Sequence, residues 1–438
     1  MRRYDRRASS LDADWMDGYF GMERSVLLIA TLDTKGEEAF YLRDSIETQG
    51  VRVLVMDVGI LYPSPREVEI SREEVASRGG IPLKEALASK DKAQCTMNMI
   101  RGAEVLTREL YEQGRIHGVV SIGGGQGTEI ASTAMRTLPM GVPRLMVSTI
   151  ANGLHTFGAY VGTKDISMMH SVADLQGINF LTRQILENAA GAISGMVKNL
   201  DPSRAKPRGI PVALSMLGTT TSGALRTKAI LEEQGFEVVA FHQNGTGGVA
   251  MEDMILEGAF RGVLDLNLHE VGDRWFGGLH GAIREDRLEG AGRLGLPQVV
   301  APGSINYTVQ GPLENLSETM KKRKCFVNNR HFTLVRYLPD EMEQIGKEVA
   351  RKLNNAKGQI KVFIPLRGFS FPDREGLPHW DPEGNQRFID RLKRDLHPSI
   401  SLTELDAHIN DPEFIDPVVN EFLSMMKGEK EIGLLRNS

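Results

Sequence analysis

Val119-Val120-Ser121-Ile122-Gly123-Gly124-Gly125-Gln126-Gly127-Thr128-Glu129 starts as a continuous apolar run, breaks into four glycines within five residues, and resumes with helix-compatible residues. A buried strand that enters a glycine-rich loop and then a helix is the βα unit of a parallel sheet. Glycine has no Cβ, so such a loop can bring converging backbone N–H groups close to an anion. The helix that follows adds its positive dipole end. The spacing fits neither G-x-G-x-x-G nor G-x-x-x-x-G-K-[ST], so the loop by itself reads equally as a phosphate cradle or as a tight βα turn.

The flanking sequence repeats the same rhythm. Residues 25–32 (SVLLIATL) form an apolar strand, Asp33-Thr34-Lys35-Gly36-Glu37-Glu38 a turn with capping and first-turn acids, and Gly50 ends a helix before a second strand at 51–58. A polar excursion over 61–94, of the kind used as a lid or a dimer contact, leads to a helix over 96–113, a strand over 116–122 and another over 143–149. A long helix is expected over 171–199. The proline-bearing segment 201–209 is assigned as a linker, which places an extension or leader at 1–22, a first domain at 23–200 and a second at 210–438. In the second domain, strands are expected at 212–217, 236–241, 262–266, 297–301, 360–365 and 400–405. Helices are expected at 224–234, 248–257, 279–288, 341–352 and 411–426. Pairing Gly50 with Gly235, an offset of 185 (235 − 50), also pairs Thr34 with Thr219 and hints at duplication. The fold class that follows is α/β, with two Rossmann-like doubly wound parallel-sheet domains.

Composition narrows the function. At 438 residues with 41% hydrophobic and 25% charged side chains, the chain is an ordinary globular protein with room for two cores. A net charge of −5 gives no global reason to bind nucleic acid or an anionic membrane, which leaves small-molecule chemistry as the default. The two cysteines, Cys95 and Cys325, form no framework, no apolar run is long enough to span a bilayer, and 1–21 lacks a signal-peptide core. The expected location is the cytoplasm.

Ligands of parallel sheets bind beyond the carboxyl ends of the strands, where the polar and glycine clusters of this chain fall. In the first half these are Asp33 to Gly36, Asp57, Gly123 to Glu129, Thr149, Asn152, Gly153, and the run Gly162-Thr163-Lys164-Asp165. Lys35 or Lys164 can neutralise phosphate, and Asp33, Glu129 or Asp165 can hold Mg²⁺ through water. Asp57 is placed to meet a ribose hydroxyl. Each also has a structural reading, as a cap, a surface lysine or a first-turn acid. In the second half His242, Asp265, His269 and Glu270 lie at strand ends and could supply an acid/base pair or a metal site. No H-x-x-H or H-E-x-x-H spacing accompanies them, so no metal ligand is assigned. Arg367 is a possible carboxylate or phosphate clamp, with an ion pair as its structural alternative. The basic run from Lys321 to Lys324 reads as a solvated face.

TLDTKGEE (31–38), GGGQGT (123–128), RLMVSTIANG (144–153), GTKDISMMHSVADLQGIN (162–179), GTGG (245–248), PLRGFS (365–370) and INDPEF (409–414) together resemble an uncharacterised bacterial, fungal and plant family. That family is named for similarity to the N-terminal inhibitory domain of the tomato mosaic virus resistance protein. The resemblance implies two Rossmann-like domains, binding of ATP with Mg²⁺ by the first half, and homodimerisation. It places the nucleotide on Asp33, Thr34, Lys35, Gly36, Gly123, Gly124, Gly125, Gln126, Gly127 and Thr128, with Gly162, Thr163, Lys164 and Asp165 nearby. Gln126 departs from the small residue expected in that loop, and Asn329-Arg330-His331 stands where members tend to carry His-Asn-Pro. The resulting expectation is an ATP-dependent enzyme for a small anionic metabolite bound in an interdomain cleft, with His242, His269, Glu270 and Arg367 facing it. A nucleotide-binding regulatory module and a nucleotide-independent isomerase, lyase or hydrolase of sugar acids are the alternatives.

Overall fold

A computed structural model describes residues 24–152, 158–201 and 206–427. The extension over 1–22, Gly153 and the middle of the assigned linker lie outside the described residues. The chain divides into two compact units at residues 205 and 206.

The first unit is a sheet of five parallel strands, β1 (Ser25–Ala30), β2 (Arg52–Asp57), β3 (Val119–Gly123), β4 (Arg144–Ser148) and β5 (Ser167–His170), in the order β2-β1-β3-β4-β5. Side chains alternate across a strand, so an unbroken apolar run needs cover on both faces. Leu27 and Ile29 face one core with Met99, Ala103, Ile130 and Ala134, from the Lys92–Glu112 and Gly125–Arg136 helices. Val26 and Leu28 face the other core with Ala39, Leu42, Leu186 and Ala190, from the Leu32–Glu47 and Phe180–Lys198 helices.

The second unit continues with β6 (Ile210–Met216), β7 (Phe236–His242), β8 (Gly262–Asn267) and β9 (Gln298–Gly303). An antiparallel insert follows, made of β10 (Tyr307–Gln310), β11 (Cys325–Val327) and β12 (Thr333–Arg336), and then β13 (Ile360–Pro365) and β14 (Ser401–Leu405). The main sheet is parallel in the order β14-β13-β9-β8-β6-β7, and the insert is ordered β10-β12-β11. Counted from the first strand of each unit, both parallel sheets follow the order 2-1-3-4-5, to which the second adds a sixth strand. Among the described residues no helix is long and apolar enough to cross a membrane.

Several expected elements differ. The long helix begins at Phe180, capped by Asn179, and the residues before it supply β5, a four-residue half-exposed strand too short and mixed to show periodicity. No helix forms over 279–288. The helix lies earlier, at His269–Phe276, and ends at Gly277 in a left-handed conformation, while Leu279 points into solvent. The antiparallel insert has no counterpart in the sequence reading, because its strands are three or four residues long.

One buried cation organises the second unit. Arg287 is fully buried and bonds both oxygens of Asp265 at 2.6 and 2.7 Å. It also reaches Gln243 at 2.7 Å, and Glu252 and Glu270 at 3.3 Å each. Its fork ties β8 to the loop after β7 and to the Gly247–Leu256 helix. Removing one partner of such a cluster strands buried charge, so we expect Arg287→Met to cost roughly 3–5 kcal/mol of stability. Urea unfolding of the chain checks this, and a cost under about 1 kcal/mol would contradict a structural role.

Burial pushes the Glu252 carboxyl up to about 7, against the pull of Arg287 and of N–H donors from Leu288 and Gly290. An unfolded glutamate loses its proton near about 4.3, so between these values the folded chain keeps a proton that the unfolded chain has lost. On this account stability falls as pH rises from about 4.5 to about 7, by an amount on the order of 3 kcal/mol. Glu252→Gln should remove that component. Parallel melting-temperature curves against pH for the two proteins would contradict it.

Candidate functional site

In each unit the crossovers reverse direction between the first and third strands of the sheet, and this switch point leaves an open crevice at the carboxyl ends. In the first unit the loops after β1, β2 and β3 line a crevice of about 220 Å³, with Thr31, Asp33, Thr34 and Lys35 on one side and Gly124 to Gly127 on the other. The Gly125–Arg136 helix opens here with Gly124 as its N-cap and no side-chain capping bond. A Cβ at Gly125 would meet nothing, and at Gly124 or Gly127 only ordinary contacts at 3.7 and 3.6 Å. None of these three glycines has a left-handed backbone. Gly123 differs, since a Cβ there would lie 3.0 Å from Gly127 Cα and crowd the first turn of the helix.

The charged residues of the crevice are partly engaged. Lys35 Nζ donates to the Leu175 carbonyl and lies 3.4 Å from Asp174. Asp33 Oδ2 accepts from the Leu61 N–H at 2.8 Å, while Oδ1 is buried and makes no hydrogen bond. Lys92 also lines the space. Gln126 turns its amide toward Thr96 Oγ1 at 3.1 Å.

Other expected residues serve the fold. Thr128 is buried and shares a hydrogen bond with Ser148 at 2.6 Å, and Gly36 packs against Pro65. Asp57 is buried. Its Oδ1 accepts from the N–H groups of Leu32 and Gly59, burial raises its pKa to about 6, and it is not among the residues that line the crevice. The segment Gly162 to Asp165, including Thr163 and Lys164, is not brought to the crevice. Gly162 packs on Arg136 at the far end of the 12-residue helix that opens at the loop, roughly 17 Å away along its axis. Asp165 pairs with buried Arg144, the first residue of β4, at the amino end of the parallel strands and so opposite the crevice.

In the second unit the loops after β6 and β7, the turn at His280 and the antiparallel insert enclose a pocket of about 420 Å³. His242, Asn244, His280, Thr219 and Tyr307 supply its polar lining, and Phe332 and Leu334 are among its apolar walls. Behind this surface lies His269, fully buried. Its Nε2 is 3.2 Å from His280 Nδ1, and its ring lies against Tyr307 at 4.8 Å between centroids. Burial lowers the pKa of all three histidines, to about 4 for His269 and His280, so they are neutral at pH 7. Thr219 Oγ1 bonds Tyr307 Oη at 2.8 Å and Ser304 Oγ at 2.7 Å, and burial pushes Tyr307 up to about 12. Ser304 holds a left-handed backbone at φ 54°, a strained conformation for a non-glycine residue.

His242 and His269 thus meet in or beside one pocket, whereas two of their expected companions do not join them. Glu270, next in sequence to His269, points into the core, accepts N–H bonds from Gly245 and Gly248, and pairs with Arg287. Arg367 is exposed, with both carboxylate oxygens of Asp406 bonded at 2.7 and 2.8 Å. Among the described residues, the pocket lining contains no lysine or arginine. Sequence reasoning missed His280, hidden inside the helix expected over 279–288, and Asp273. The spacing of His269 and Asp273, one helical turn apart, was the available signal.

Residues 24–202 match the N-terminal domain and residues 210–426 the C-terminal domain of the uncharacterised protein family UPF0261. A UPF0261 protein of Clostridium tetani is 39% identical over 407 residues, 93% of this chain and 100% of that one. The ToMV resistance protein Tm-1(GCR237) of Solanum lycopersicum is 28% identical over 435 residues, 93% of this chain and 56% of that one. Among solved structures, UDP-N-acetylglucosamine 2-epimerase from Rickettsia bellii is 10% identical and covers 94% of this chain and 96% of its own at a TM-score of 0.23. With both halves matched in order, the chain belongs to the UPF0261 family.

Proposed function

We propose that the first unit binds the phosphates of a nucleotide, ATP with Mg²⁺, and that the second unit carries the chemistry on a small polar metabolite in its histidine-lined pocket. The observation that carries the nucleotide reading is the trio Gly124, Gly125 and Gly127. The protein around them leaves room for a Cβ, and their backbone angles do not demand glycine. Bare backbone at an uncapped helix N-terminus, on a switch-point crevice, is what close approach of a phosphate requires. Asp33 lines the crevice with an Oδ1 free of hydrogen bonds, and a rotation of its side chain into the crevice would present that oxygen to a hydrated Mg²⁺, while Lys92 adds positive charge at the rim.

Titration of the full chain with ATP and Mg²⁺ in a calorimeter should give saturable binding. Gly125→Asp, whose Cβ meets no atom within 4 Å, should weaken it by about ten-fold or more through repulsion of the phosphates. Unchanged affinity in a folded Gly125→Asp protein would place the nucleotide elsewhere, and no heat from the wild type would end the nucleotide reading.

Three neutral imidazoles beside Tyr307 and Thr219 favour turnover over a purely regulatory role, because proton-transfer groups converge in and beside one pocket. His242, half-exposed to the pocket and held only lightly, is the residue placed to move a proton to or from a bound molecule. Once a substrate is found by product analysis across a metabolite panel, His242→Ala should lower kcat about 100-fold or more with ATP affinity unchanged. Full turnover in that variant would remove the assignment.

A further inference from the structure

The His269–Phe276 helix and the turn behind it bring three metal-ligating side chains to one point beside the second unit's pocket. His269 and Asp273 are one turn apart and project from the same helix face. His269 Nε2 lies 3.7 Å from Asp273 Oδ2. The chain then reverses through Gly277 and Gly278 and returns His280, whose Nδ1 lies 3.2 Å from the same Nε2. All three donor atoms lie within 4.8 Å of one another. Ligand atoms around a tetrahedral zinc ion, each about 2.0–2.2 Å from the metal, stand roughly 3.3 Å apart, close to the 3.2 and 3.7 Å that separate His269 Nε2 from His280 Nδ1 and Asp273 Oδ2.

The groups behind these atoms are arranged as for ligands. His269 Nδ1 is 3.2 Å from the carbonyl oxygen of Ser304, which can only accept, so the ring proton sits on Nδ1 and the Nε2 lone pair faces Asp273 and His280. Asp273 Oδ1 is fixed by Thr308 Oγ1 and by the Val309 N–H, which leaves Oδ2 turned toward the two imidazoles, where it also accepts the His280 backbone N–H at 2.7 Å. A Cβ on Gly278 would lie 1.8 Å from Asp273 Oδ1, so the turn that returns His280 depends on glycine against this carboxylate. A histidine–histidine hydrogen bond alone would explain the 3.2 Å contact. The His280 N–H accounts for one lone pair of Asp273 Oδ2, and the 3.7 Å approach of that oxygen to His269 Nε2 adds a third donor atom at the same point.

We propose that His269 Nε2, Asp273 Oδ2 and His280 Nδ1 bind one divalent transition ion of the zinc type, with a fourth coordination position open toward the histidine-lined pocket. Two imidazoles and one carboxylate suit Zn²⁺, Co²⁺ or Ni²⁺ rather than Mg²⁺, so this site is separate in kind from the magnesium expected in the first unit. Three protein ligands with one open position is the arrangement of zinc sites that hold a water or a substrate oxygen. The ligand class it implies for the pocket is a small molecule presenting a carbonyl, carboxylate or hydroxyl oxygen.

The test uses the full chain, stripped with a chelator and titrated with Co²⁺ and then Zn²⁺ in the absence of nucleotide. One Co²⁺ per chain should bind with the intense visible bands of four-coordinate cobalt and be displaced by Zn²⁺. His280→Ala should lower the affinity about 100-fold or more, while His397→Ala, an exposed histidine elsewhere, should leave it unchanged. A pale six-coordinate spectrum, no stoichiometric uptake by the folded wild type, or equal uptake by folded His280→Ala would each overturn the proposal. If His280→Ala does not fold, the wild-type cobalt spectrum decides alone. Because no nucleotide is present, failure here leaves the ATP titration untouched, and the reverse holds as well.

Discussion

The reversal of crossover direction between adjacent parallel strands is the constraint on which the molecule's chemistry depends. Once the strand order is 2-1-3-4-5, the connection after the first strand and the one after the third must leave over opposite faces of the sheet. The loops at their carboxyl ends are then pushed apart, and space opens between them. This happens twice in the chain, and both crevices described above lie at that point. The first is walled by the turn after β1 and the glycine loop after β3, the second by the turn after β6 and the residues following β7 and β8.

The same topology is furnished differently in the two units. In the first, helices start at the crevice with bare backbone, and the available surface is one of N–H groups, a carboxylate and lysines. In the second, the antiparallel insert after β9 lines the crevice with Tyr307, Phe332 and Leu334, and burial lowers the pKa of the three histidines in and behind it. Arg287 holds that arrangement together from beneath. By neutralising Asp265 and Glu270 in the core, it keeps those carboxylates out of the pocket and fixes the loop that presents His242.

Much of this was legible in the sequence, and the limits have physical causes. Both parallel sheets were readable because strands such as 25–32 and 212–217 are covered on both faces and leave unbroken apolar runs. The convergence of Asp33, Thr34 and Lys35 with the glycine loop followed from their places at strand ends. The Gly162 to Asp165 segment was misplaced because β5 is a short edge strand with little hydrophobic signal, so its start could not be told from its end. Glu270 and Arg367 illustrate another limit. A charged residue near a strand end can turn inward to an ion pair or outward to solvent, and only the partner, Arg287 or Asp406, decides which. His280 and Asp273 were lost to a helix boundary set by Gly277, whose left-handed turn the apolar pattern did not reveal.

A crystal structure of the full chain grown with a non-hydrolysable ATP analogue and Mg²⁺ addresses the central claim most directly. The account predicts the triphosphate over the N–H groups of Gly125, Gln126 and Gly127, with the magnesium on the Asp33 side of the crevice and the histidine pocket of the second unit free of nucleotide. Phosphate density in the second unit's pocket, or a first-unit crevice left empty at saturating analogue, would contradict it.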